Sequence, residues 1–172
     1  MLSKSDIENY FIAEKQESLL FLIIGFAGII TAVLFFFFCK TSFYKGAAIP
    51  PAIIGLLLGI VGYTVYTRSD EDRKRNVYAY DMNPSELKEK ELPRMKTVMK
   101  NFIIYRRVEI FLLIAGAALC IYFIRYAKND FWSGFGLTLA VMSVLALAAD
   151  FFAEKRGNIY MRGIESFIQD RA

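Results

Sequence analysis

Residues 18–39 read SLLFLIIGFAGIITAVLFFFFC, a run of 22 residues without a single charge. A helix needs about 20 apolar residues to cross the roughly 30 Å hydrocarbon core of a bilayer. The run therefore predicts a membrane-spanning helix. Seventeen residues precede it, many of them polar, and no small-residue cleavage site follows it. We expect a retained span rather than a signal peptide.

Three further uncharged runs follow, at residues 46–67, 110–124 and 131–149. The third has only 15 residues between Glu109 and Arg125, whose long side chains can extend to the membrane surface. Hydrophobic residues make up 56% of the chain, more than an ordinary soluble protein carries. The sequence predicts an all-α, polytopic membrane protein, a four-helix transmembrane bundle built from two hairpins.

Basic residues predict the orientation of these spans. Seventeen of the 21 Lys and Arg residues fall in the N-terminal segment, the segment between spans two and three, and the C-terminal segment. Positive charge marks the cytoplasmic side of a membrane protein. Both termini and the central segment are therefore expected in the cytoplasm, with the bacterial inner membrane as the expected location.

The chain divides into an N-terminal segment with hairpin one (1–67), a cytoplasmic linker (68–107), and hairpin two with a cytoplasmic C-terminal helix (108–172). In the linker, Pro84 suits a helix start and Pro93 is expected to interrupt that helix.

Beyond Pro93 the linker has an apolar stripe at helical spacing, and the C-terminal helix has another. The first stripe is Met95, Val98, Met99 and Phe102, and the second is Tyr160, Ile164, Phe167 and Ile168. The two stripes could pack together beneath the bundle, lie on the membrane surface, or bind a partner.

The two hairpins end alike. The sequence DRKRNVY at 72–78 follows span two, and EKRGNIY at 154–160 follows span four. YKG at 44–46 and WSG at 132–134 also correspond, although the spacing between these marks differs by six residues. Either a tandem duplication or chance accounts for the match.

Small residues predict how the spans pack, because helices in lipid associate through close contact. Gly55 and Gly59 form a GxxxG pattern in span two, and Gly62 extends this helix-packing face. The face could pack within the chain or against a second protein. Pro50 and Pro51 are expected in the first turn of that span.

Four charged residues border the spans at the cytoplasmic side: Arg106, Arg107, Glu109 and Asp150. We expect an ionic layer in which Asp150 pairs with Arg106 or Arg107, and Glu17 lies at a similar depth. Such a layer either anchors the bundle at the interface or forms a proton or cation site.

The residues required for common enzymatic sites are missing. The chain has no histidine, so it has neither a Ser-His-Asp arrangement nor a HExxH motif. Two isolated cysteines, Cys39 and Cys120, do not make a zinc site and are expected to be free thiols. No catalytic residue, cofactor or metal is predicted, and nucleic acid is not an expected partner.

A non-enzymatic membrane interaction protein is therefore the favoured function. Immunity proteins that neutralise pore-forming toxins in bacterial inner membranes have this size and span count, which is a likeness of architecture alone. The expected partners are the lipid bilayer and a membrane protein or toxin. The alternative is a small transporter or channel subunit, which would need to form a homo-oligomer.

Overall fold

The computed structural model describes residues 2–170. It contains four long helices: α1 (Lys4–Phe37), α2 (Ser42–Met82), α3 (Pro84–Ala127) and α4 (Asp130–Gln169). Within residues 2–170 there is no β-strand. Each helix is long and apolar enough to cross a membrane, by length and composition. The prediction of an all-helical chain with four long apolar helices is confirmed.

Polar caps define where two of these helices start. Ser3 precedes α1, and its Oγ accepts a hydrogen bond from the N–H of Asp6 while Asp6 Oδ2 accepts one from the N–H of Ser3 at 2.8 Å. Such a capping box satisfies two amide groups that a helix end would otherwise leave unpaired. Asn129 caps α4 after a left-handed residue, Lys128, ends α3.

Span two does not begin at its prolines, so that prediction is wrong. α2 starts at Ser42, which leaves Pro50 and Pro51 buried two turns inside the helix. Each proline removes an amide donor from the turn before it. The two carbonyl groups left without that donor belong to the small residues Gly46 and Ala47, which pack closely against α4.

The expected interruption at Pro93 is also absent. Residues Leu87–Glu91 form a wider π-type turn, in which the N–H of Leu92 bonds to the carbonyl oxygen of Leu87. The inserted residue shifts the hydrogen-bond register just before the proline, which has no N–H to donate. α3 therefore continues from the linker into its apolar run as one helix.

The helices lie in the spatial order α1, α2, α4, α3. α2 packs against both α1 and α4, and α4 carries α3 on its other side. From Leu92 to Tyr122 the backbone of α3 approaches that of α4 alone among the long helices. Only 6% of the most apolar window of α3 is buried, against 22–28% in the other helices. α3 is thus the least enclosed span.

Glycines set the distance between α1 and α2. A Cβ atom on Gly25 would lie 2.6 Å from both the carbonyl oxygen of Gly55 and the amide nitrogen of Gly59. A Cβ on Gly62 would lie 2.7 Å from the carbonyl oxygen of Ser18. Side chains at these positions would force the two backbones apart, so the seam depends on glycine.

Hairpin two repeats this seam. A Cβ on Gly116 would lie 2.8 Å from the carbonyl oxygen of Gly136 and 2.7 Å from the amide nitrogen of Ala140. These are the same atom types, at the same four-residue separation, that surround Gly25 in hairpin one. The two hairpins therefore share an internal packing geometry.

The contact between the hairpins is reciprocal. A Cβ on Gly46 would overlap the carbonyl group of Phe131, and a Cβ on Gly134 would overlap the carbonyl group of Phe43. These four residues occupy matching positions in the two repeats, FYKG and FWSG. Reciprocal contacts between matching positions place a pseudo-twofold axis between α2 and α4, which supports the tandem duplication.

Beneath the spans all four helices continue into a shared core, here called the base. Its buried apolar residues include Ile7 and Phe11 from α1, Met95 from α3, and Ile164 and Phe167 from α4. The apolar stripes of the linker and the C-terminal helix therefore pack together within the chain. Met99 reaches Gly157, where a Cβ would lie 2.6 Å from its Cε.

Candidate functional site

Charged side chains line a cleft between α3 and α4, at the end of their apolar runs that adjoins the base. Arg106 donates through Nη1 to both carboxylate oxygens of Glu154, at 2.9 and 3.1 Å. Glu109 and Asp150 lie one turn closer to the membrane and complete the polar lining. The cleft has a volume of about 310 Å³. Three carboxyl groups and one guanidinium group thus meet at this boundary.

The expected pair between Asp150 and an arginine is wrong. The carboxyl group of Asp150 faces that of Glu109, close enough for a hydrogen bond when one of them carries a proton. The antiparallel register explains this, because it places Arg106 level with Glu154, one turn below Asp150. Arg107 is exposed and forms no ion pair with a described residue.

A carboxyl pair differs chemically from the ion pair that the sequence suggested. Oε2 of Glu109 is buried and accepts no hydrogen bond from the described residues. Two carboxylates at short range repel each other, so the pair favours a shared proton or a bound cation. Of the four predicted ionic-layer residues, the structure brings Arg106, Glu109 and Asp150 together and leaves Arg107 outside.

Ion pairs at this depth tie every helix to a neighbour. Glu17 pairs with Arg156 of α4 and not with the predicted arginines of α3, Arg106 and Arg107. The inter-helix pairs are Glu17–Arg156 between α1 and α4, Lys15–Asp70 between α1 and α2, and Arg106–Glu154 between α3 and α4.

A second polar cluster is buried in the base, where no charged site residue was predicted from the sequence. Glu14 of α1 accepts hydrogen bonds from Tyr10 Oη at 3.3 Å and from Ser69 Oγ at 3.2 Å. Burial raises the pKa of the Glu14 carboxyl, and the guanidinium of Arg94 opposes that rise. Glu14 lies where a core residue would lie, between Phe11 and Ser18 on the buried stripe of α1.

The same cluster includes a salt bridge within α3. Arg94 donates from Nη2 to Glu91 Oε1 at 2.6 Å and from Nε to Oε2 at 2.9 Å, and Glu91 is 2% exposed. The guanidinium also lies over the ring of Phe11, 5.8 Å from its centroid. Burial raises the pKa of Tyr160, whose ring stacks on Tyr10 at 3.9 Å, so both phenols stay protonated.

A sequence signal for this cluster exists. The buried residues of α1 recur every three or four positions, so Glu14 falls on the apolar face by spacing alone. Glu91 carries no such signal, because the π-type turn displaces it from regular helical spacing.

The predicted helix-packing face lies inside the molecule. Gly55 and Gly62 meet the backbone of α1, and the backbone of Gly59 lies beside Gly25. A Cβ atom on Gly59 would point into open space, with no heavy atom within 4 Å. This face is therefore occupied by α1 and is not free to receive a second protein.

Comparisons with protein-family models, curated proteins and solved structures gave no match. Among residues 2–170, no group of three or more His, Cys, Asp or Glu side chains is placed to hold a metal ion.

Proposed function

We propose that this chain is a non-catalytic integral membrane protein that binds another membrane protein laterally through α3. Its concrete form is an immunity protein against a membrane-acting toxin, or a regulator of a membrane protein, in a bacterial inner membrane. The single observation that carries the proposal is the peripheral position of α3. α2 and α4 each pack on two helices, and α1 contacts both α2 and α4.

The outward face of α3 supports this role. Val108, Phe111, Ile114 and Ile121 are 50–69% exposed and recur at helical spacing along one side of the helix. They form a continuous apolar ridge opposite the glycine seam with α4. A single flanking neighbour leaves the ridge free for another transmembrane helix.

The base supports the same role by fixing α3 in place. The Arg106–Glu154 pair and the packing of Met95 and Met99 hold the cytoplasmic half of α3 against the other helices. A partner helix would therefore meet a preorganised ridge, which lowers the entropy cost of association.

Site-specific photocrosslinking in native membranes tests the proposal. A photoreactive residue at Phe111 or Ile114 should capture a discrete polytopic or pore-forming protein. The same residue at Leu56 or Leu57, which are 54% and 57% exposed on α2, provides the matched control. Capture of lipid alone at all four positions, or equal capture of the same proteins from both helices, contradicts the proposal.

The carboxyl pair favours a second candidate, a subunit of an oligomeric transporter or channel. Two facing carboxyl groups, Glu109 and Asp150, suit a site that exchanges a proton or cation with the cytoplasm. Homo-oligomer crosslinks at Phe111, together with ion flux in proteoliposomes that is lost in Asp150→Asn, would favour this function. Absence of both would leave the lateral-binding proposal in place.

A further inference from the structure

A second cleft opens between α1 and α4, on the cytoplasmic side and away from the carboxyl pair. Its volume is about 550 Å³. Its walls are α1 and α4, which approach each other less closely than the neighbouring pairs α1–α2, α2–α4 and α3–α4. The lining is neither purely apolar nor of one charge, which distinguishes it from a simple packing gap.

Apolar, charged and polar side chains line different parts of the cleft. Phe152 lies at the membrane end, three residues beyond the predicted end of span four, and is 62% exposed. Lys155 and Arg156 follow within the next turn of α4. Asn9 and Asp6 line the lower part from α1. The α4 wall is therefore apolar and then cationic, Glu17 of α1 pairs with Arg156 beside it, and Asn9 and Asp6 add polar and anionic groups lower on α1.

Two of these groups have unused binding capacity. Lys155 is exposed and forms no ion pair with a described residue, whereas Arg156 is already paired with Glu17. Asp6 accepts both of its capping bonds at Oδ2, so Oδ1 is available. The cleft as a whole carries two basic and two acidic side chains and is neutral.

We propose that this cleft binds the headgroup of a zwitterionic aminophospholipid from the cytoplasmic leaflet. The acyl chains extend from the cleft into the bilayer beside Phe152. The phosphate binds Lys155, and the ammonium group binds Asp6 and Asn9. This inference stands apart from the lateral-binding proposal, because it uses neither α3 nor its ridge.

The chemistry of the headgroup selects among phospholipids. A primary ammonium group has three N–H donors and forms charge-assisted hydrogen bonds with a carboxylate. A choline headgroup has no N–H, and a glycerol headgroup leaves the acidic wall without a cation. Ethanolamine phospholipid is therefore the expected ligand, and phosphatidylcholine and phosphatidylglycerol are the discriminating competitors.

The test is lipid retention by the full-length protein. The protein is reconstituted in bilayer discs that contain equal parts of the ethanolamine, choline and glycerol phospholipids. Native mass spectrometry then identifies the lipids that remain bound to it. We expect the ethanolamine lipid to be retained in preference. Lys155→Gln should reduce that retention about tenfold, the typical effect of losing one charged hydrogen bond. Lys100→Gln, which alters an exposed lysine of α3, should not.

A cleft-filling variant gives a second readout. Ala13→Phe places a ring inside the cleft and should abolish retention, whereas Ile12→Phe, at the neighbouring 40% exposed position, should leave it intact. Equal retention of the three lipids, preference for the glycerol lipid, or no effect of Lys155→Gln and Ala13→Phe would overturn the proposal. Binding of free phosphoethanolamine or inorganic phosphate as tight as that of the lipid would also overturn it.

Discussion

At the scale of single residues, the carboxyl group of Glu14 is notable because it lies in the apolar core of the base. Glu14 is 8% exposed, and it is held by hydroxyl groups rather than by a direct ion pair. A buried charge costs free energy unless it is well paired. Burial of the Glu14 carboxyl therefore lowers the stability of the base.

The first prediction follows from the raised pKa of Glu14. A carboxyl whose folded-state pKa lies above its ordinary value of 4.5 stabilises the fold most below pH 4.5, and that stability is lost as pH rises through the folded-state pKa. Glu14→Gln should therefore melt at a higher temperature than the parent at pH 7 and lose less stability between pH 4.5 and 7.

Thermal unfolding in detergent, followed by circular dichroism across that pH range, measures this difference. Glu8→Gln, an exposed change on the same helix, is the control and should leave the profile unchanged. An equal response of the two variants would show that burial of Glu14 does not govern the pH dependence.

The second prediction concerns the acidic groups of the α3–α4 cleft, which have opposite roles. Asp150 faces another carboxyl, so Asp150→Asn replaces repulsion with an amide donor toward Glu109 and should maintain or raise the melting temperature. Glu154 holds Arg106, so Glu154→Gln should lower stability by up to about 1 kcal/mol, as for a partly exposed ion pair. Equal losses in both variants would contradict this division of roles.

At the scale of helices, glycine placement decides which faces meet. In each hairpin, a glycine of the first helix, Gly25 or Gly116, packs on two small residues of the second helix that are four positions apart. Close backbone approach maximises van der Waals contact where no hydrophobic effect drives association. The glycine seam therefore brings the two backbones of each hairpin into direct contact.

The third prediction compares glycines of the same seam. Gly25→Ala places a methyl group 2.6 Å from two backbone atoms of α2 and should destabilise the protein by about 1–3 kcal/mol. Gly116→Ala should do the same in hairpin two. Gly59→Ala meets no atom within 4 Å, so its better helix propensity should be neutral or stabilising by up to about 1 kcal/mol.

Steric trapping or SDS-induced unfolding of the purified variants ranks these effects. A loss at Gly59 as large as that at Gly25 would place the seam on a different face of α2. A neutral Gly116→Ala would remove the energetic equivalence of the two hairpins.

The sequence predicted the elements better than their contacts. Uncharged runs indicate burial in lipid or protein, so the four helices could be predicted from composition. Helix ends were harder to predict. Small neighbouring residues accommodate Pro50 and Pro51 inside α2, and a π-type turn accommodates Pro93 inside α3. The partner of Asp150 depended on the register between α3 and α4, which no single helix encodes. The peripheral position of α3 depends on the α1–α2, α2–α4 and α3–α4 contacts together, and no single helix encodes them.

At the scale of the molecule, the spans and the base form one folded unit. The four helices continue without a break from the apolar runs into the packed core of the base. Both hairpins turn at the end opposite the base, through short connections at residues 38–41 and 128–129. This arrangement leaves the orientation in the membrane as the main property to measure.

The fourth prediction concerns that orientation. In a variant without Cys39 and Cys120, a cysteine at Lys128 should react with a membrane-impermeant maleimide added to intact cells. A cysteine at Glu89, in the linker, should react only after the membrane is opened, because 17 of the 21 basic residues lie on its side. The reverse labelling pattern would invert the topology.

Unbroken helices also make the molecule sensitive to bilayer thickness. α2 has 41 residues and is about 60 Å long, so a tilt of about 5° displaces its far end by roughly 5 Å. A thinner bilayer tilts spans of fixed hydrophobic length. The base, at the far end of every helix, would then rearrange in response to lipid acyl-chain length.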